Sequence, residues 1–82
     1  MIDIKLGETY EVSELRMGGY SPVEVCGFKD LLLIERYGAN EYIKYRRGTE
    51  NVLVVKNSGL LKVIARFDPE KMKKTEIFRG KK

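Results

Sequence analysis

Eighty-two residues, 43% hydrophobic and 34% charged, describe a folded chain with room for one domain (1–82) and one modest core, not a disordered segment. The formal net charge is +4, histidine is absent, and Cys26 is the single cysteine, which excludes an internal disulfide together with the commonest general base and the commonest nitrogen ligand for metals. No apolar run approaches the ~20 residues that a membrane-spanning helix needs.

Residues 1–25 are acidic, with five acids against two bases, whereas residues 29–82 hold fourteen bases and seven acids. Acids occupy the positions where a signal peptide would be apolar, so a soluble cytoplasmic protein is expected. Pairing between the acidic arm and the basic remainder accounts for the asymmetry more simply than a charged binding surface does.

Thr9 to Val12 favours an extended conformation. Ser13 is then placed to cap one helical turn, Glu14 to Met17, ended by Gly18-Gly19. The run Gly18-Gly19-Tyr20-Ser21-Pro22 is the strongest breaker in the chain. Val23 to Phe28 reads as a strand, with Gly27 marking a bulge or bend, Cys26 a small buried hydrophobe within it, and Lys29-Asp30 a tight turn after it. Leu31 to Tyr37 and Tyr42 to Arg47 are predicted to form a hairpin around Gly38-Ala39-Asn40-Glu41. Its core face would hold Leu32, Ile34, Ile43 and Tyr45, and its outward face Tyr37, Tyr42, Lys44 and Arg46.

Val52 to Phe67 predicts the central hairpin, reversed at Asn57-Ser58-Gly59. A three-residue loop closed by Gly59 sets Leu53 opposite Val63 and gathers Leu53, Val55, Leu61, Val63, Ala65 and Phe67 on one face. A two-residue loop would set Val55 against Lys62. The other face, with Val52, Val54, Leu60 and Ile64, is too apolar to stay in water, so a helix, a further strand or a second chain is expected to cover it. Asp68 can cap a helix that has Pro69 at its first position. Residues 71–82 are expected to be a basic tail that frays. The expected fold is mainly β, at the margin of α+β: a small curled antiparallel meander or partly open barrel of five to six strands with a short C-terminal helix.

Three binding chemistries suit these residues. Tyr37 and Tyr42 offer rings for stacking bases, with Lys44, Arg46 and the tail lysines for phosphates, as in sheet-based binders of single-stranded RNA. Cross-strand tyrosines are also ordinary sheet stabilisers. The set Val52, Val54, Leu60 and Ile64 would serve a protein partner or a second copy if left uncovered. Glu8, Glu11 and Glu14 could collect calcium, but no D-x-D-x-D-G spacing preorganises them, and a solvated acidic face is the simpler reading. Ser13, Ser21, Ser58 and Cys26 have no base partner in an evident motif, and neither a phosphate-binding glycine loop nor a cysteine knuckle is present. A small binding module without catalysis and without a cofactor is expected.

Overall fold

The computed structural model describes residues 3–69 and the two-residue strand at 76–77. It is mainly β, with one open antiparallel sheet and two short helices. In chain order the elements are β1 (Thr9–Tyr10), α1 (Val12–Met17), β2 (Ser21–Gly27), α2 (Leu31–Tyr37), β3 (Glu41–Arg47), β4 (Glu50–Asn57), β5 (Leu60–Phe67) and β6 (Glu76–Ile77). The spatial order is β1-β5-β4-β3-β2, and β6 lies beside the C-terminal half of β5. One side of β5 is therefore covered by β1 and β6, and β2 is left as the edge at the far end of the sheet.

The central hairpin exists, but with the register that the sequence argument rejects. Asn57 pairs with Leu60, Lys56 with Leu61 and Val55 with Lys62, so the loop has two residues, Ser58 and Gly59. Both take positive φ, 55° and 83°, which is the backbone of the primed turns that match strand twist. A bulge then shifts the phase: Val54 pairs with Val63 and Leu53 with Ala65, and Ile64 is skipped. Leu53 and Val63 thus point to opposite sides of the sheet, and the six-residue apolar face does not form.

The pattern could not fix the register because both faces of this hairpin are covered. The consecutive residues Val54 and Val55 are each 0% exposed, and a strand buried on both sides loses its alternation.

Leu31 to Tyr37 is a helix, not the first strand of a hairpin. The Asp30 carboxylate accepts from the backbone N–H of Leu32 at 2.8 Å, capping the start. Gly38, in the left-handed region at φ 67°, donates its N–H to the Ile34 carbonyl at 2.8 Å and closes the end. The first helix begins earlier than expected, at Val12, with Glu11 rather than Ser13 as its cap. A capping box joins the Glu11 N–H to the Glu14 carboxylate at 2.8 Å. In β2 the irregularity lies between Pro22 and Glu24 rather than at Gly27. The expected helix after Pro69 falls outside the described residues, apart from 76–77, which is strand.

The main hydrophobic cluster lies on one face of the sheet, and Val55 and Ile64 are buried outside it. Val52, Val54, Leu61, Val63 and Tyr45 from the strands meet Ile4, Leu15 and Tyr20 from the N-terminal segment and α1. Leu15 is the one buried residue of α1, so this helix attaches through a single apolar peg. A second attachment follows at its C-terminus: the Arg47 guanidinium lies 4.5 Å from the Tyr20 ring centre, donates to the Gly18 carbonyl at 3.1 Å and bridges Glu50 at 3.2 Å. Gly19, at φ 91°, passes close enough that an added Cβ would come within 3.1 Å of the Arg47 side chain. The N-terminal arm runs along β5, with Gly7 and Val63 donating their N–H groups to the Val63 and Glu8 carbonyls respectively, and Arg66 donating to the Ile4 carbonyl at 2.6 Å.

Candidate interaction surface

Alternation along β3 sends Tyr42, Lys44 and Arg46 to the face opposite the core, as the sequence reading requires. Tyr37 does not join them on a strand. It ends α2, where its ring stacks on Phe28 with 5.8 Å between centroids, and Phe28 in turn lies 5.0 Å from Tyr42. Phe28 is the link the sequence reading missed, because the hairpin assigned to 31–47 gave it no neighbour.

The cations of this face have partners. Lys44 pairs with Glu24 across the β2–β3 ladder at 3.5 Å, and the Arg46 Nε donates to Asn51 Oδ1 at 3.2 Å. Cys26 donates from Sγ to the second Glu24 oxygen at 3.2 Å. The hydrogen bond from Cys26 and the charge of Lys44 together hold the Glu24 carboxyl below the usual carboxylate range. The Tyr42 hydroxyl is pushed up, first by its hydrogen bond with Cys26 and then by burial. Cys26 is half-buried and polar-bonded, not the small buried hydrophobe expected of it.

The four residues proposed as an apolar interface do not form one exposed face. Val52, Val54 and Ile64 are buried within the chain, and Leu60, half-buried, lies opposite Asn57 on the other side of the sheet from Val52 and Val54. The N-terminal arm and α1 supply the cover that the sequence argument asked for on the Val52 and Val54 side. Glu8, Glu11 and Glu14 are exposed, and Glu14 is engaged in capping α1. Among the described residues no three carboxylates, thiols or imidazoles gather as a metal site, so the calcium reading loses its geometry.

What stands out instead is apolar surface at the open end of the sheet. Seven large apolar side chains are exposed among the described residues, and four of them fall between residues 23 and 32: Val23 (44%), Val25 (62%), Leu31 (78%) and Leu32 (71%). They belong to the edge strand β2 and to α2, a helix with no buried residue. A helix opening Leu-Leu-Leu-Ile would ordinarily face a core. The nearby depression lined by Ala39, Asn40, Glu41, Ile43 and Lys56 holds about 90 Å³, well below the ~300 Å³ at which ligand pockets begin.

The chain matches no protein-family model, no curated protein and no solved structure. Geometry alone therefore bears on its role. No helix among the described residues is long and apolar enough to cross a membrane.

Proposed function

We propose that the chain is a small, non-catalytic protein-docking module whose contact surface is the edge strand β2 together with α2. The observation that carries this reading is the concentration of exposed Val23, Val25, Leu31 and Leu32 in one short segment beside the edge strand of the described sheet. Apolar side chains left exposed within one short segment mark a surface that finds cover in a partner. The partner contacts these side chains rather than adding a strand, because Pro22 and the adjacent bulge are devices that blunt an edge against strand pairing.

The test is a photoreactive amino acid placed at Leu32 or, as control, at the exposed Lys56. Covalent adducts of reproducible mass from position 32 and none from position 56 are expected. Equal adduct yields from both, or none from either, would overturn the reading.

A second reading keeps single-stranded RNA as ligand, supported by Tyr42, Lys44 and Arg46 sharing a face and by the distribution of charge. Residues 1–69 hold ten bases and ten acids, so the +4 belongs wholly to residues 70–82. Attraction to phosphates would then come mainly from that basic stretch, with Tyr42 supplying a ring. Fluorescence titration with single-stranded RNA should show micromolar binding that weakens as salt rises and weakens again in Tyr42→Ala. Flat titrations at low salt end this reading.

A further inference from the structure

The depression beside the loop after α2 is too small for a drug-sized ligand, and its smallness selects what it takes: we propose that it binds a small aliphatic α-amino acid in zwitterionic form. Its volume of about 90 Å³ is the room of roughly three water molecules at ~30 Å³ each. An amino acid whose side chain is a single methyl group is on this scale, and one with an aromatic ring is not.

The lining divides by chemistry. Ile43 and Ala39, both half-buried, supply apolar surface, and Ile43 packs in turn against the main hydrophobic cluster. Glu41 and Lys56 supply a carboxylate and an ammonium group. Alternation puts Glu41 on the same face of β3 as Ile43, and Lys56 on the same face of β4 as Val54, the residue that pairs with Ile43. Both charged side chains are exposed, and among the described residues neither enters a salt bridge, although they line the same depression. A zwitterion answers this arrangement with its own two charges: the ammonium group donates to Glu41, the carboxylate accepts from Lys56, and the methyl group lies on Ile43 and Ala39. A purely cationic or purely anionic ligand would meet a like charge.

The wall is fixed before any ligand arrives. The Gly38 N–H donates to the Ile34 carbonyl at 2.8 Å and the Phe28 N–H to the Asn40 carbonyl at 2.9 Å, which pins the loop at two points. Because both charged groups are open to water, each contact contributes little and binding is in the millimolar range. None of the lining residues belongs to the surface proposed above for protein docking, so the two readings fail independently.

The test is an amide chemical-shift titration of the full chain with L-alanine at constant pH and ionic strength. Saturable shifts centred on Ala39, Asn40, Glu41, Ile43 and Lys56 are expected, with a millimolar dissociation constant. N-acetylalanine, which lacks the ammonium group, alaninamide, which lacks the carboxylate, and L-phenylalanine, which is too large, should each bind several-fold more weakly. Glu41→Gln and Lys56→Gln should each weaken alanine binding several-fold and leave the melting temperature unchanged, because both side chains are exposed. Shifts that stay linear up to near-molar alanine, shifts spread evenly over the chain, equal binding of alanine and its blocked forms, or full affinity in both variants overturns the inference.

Discussion

Tyr20 shows how one residue ties the helical layer to the sheet. It is 1% exposed, beneath the Arg47 guanidinium, and its phenol is pushed up to about 12, chiefly by burial and then by the negative charge and hydrogen bond of Glu50. The two arginines Arg47 and Arg66 oppose that shift without cancelling it. Because the folded phenol keeps its proton where the unfolded one has lost it, its contribution to stability is complete below pH 10 and is lost as pH rises from 10 towards 12. Two pH units of difference correspond to roughly 2–3 kcal/mol. Tyr20→Phe is expected to cost about 1 kcal/mol at neutral pH, for the lost hydrogen bond, and to flatten this part of the alkaline decline. Urea melts at pH 7, 10 and 12 give both quantities; equal alkaline slopes in the two proteins would show that Tyr20 is not the group responsible.

Among the elements, α2 is the one held most by local chemistry and least by packing. None of its seven residues is buried, so its persistence depends on the Asp30 cap, the left-handed Gly38 and the stacking of Tyr37 on Phe28. Asp30→Ala should weaken it by about 1 kcal/mol. Amide exchange in residues 31–37 is expected to quicken while β3, β4 and β5 stay protected; unchanged exchange would mean that tertiary contacts hold the helix.

The same element shows what the sequence revealed and what it concealed. In the sequence Asp30 and Gly38 read as a tight turn and a hairpin loop, although the same residues can start and stop a helix; the apolar run Leu31 to Ile34 suits a buried strand equally well, and length alone did not decide. The glycine-ended α1 and the strands at 41–47, 50–57 and 60–67 were readable because breakers bound them. The register of β4 with β5 was not, since adjacent Val54 and Val55 are both buried and Ile64 bulges out of phase. Of the proposed RNA-binding face, Tyr42, Lys44 and Arg46 were recovered from alternation, and Tyr37 was misplaced with its helix. The surface at Val25, Leu31 and Leu32 escaped notice because apolar residues on expected strands were assigned to the core.

At the scale of the whole molecule, the N-terminal arm and α1 cover one face of the sheet, and the open end is left to β2 and α2. Among the apolar side chains of the described residues, Leu15, Tyr20, Val52, Val54, Leu61 and Val63 are sealed with Ile4 in one cluster, Val55 and Ile64 are buried outside it, and Val23, Val25, Leu31 and Leu32 are left in water. Truncating a sealed one should be costly: Leu15→Ala is expected to lose roughly 2–5 kcal/mol, read as an earlier urea midpoint. Changes at Leu32 should leave that midpoint in place.

The most direct test of this division is methyl relaxation by a neutral, soluble nitroxide. Val25, Leu31 and Leu32 methyls should broaden strongly, while those of Leu15, Val52, Val54, Val55 and Val63 stay sharp. Leu31 and Leu32 as sheltered as Val54 would contradict the account.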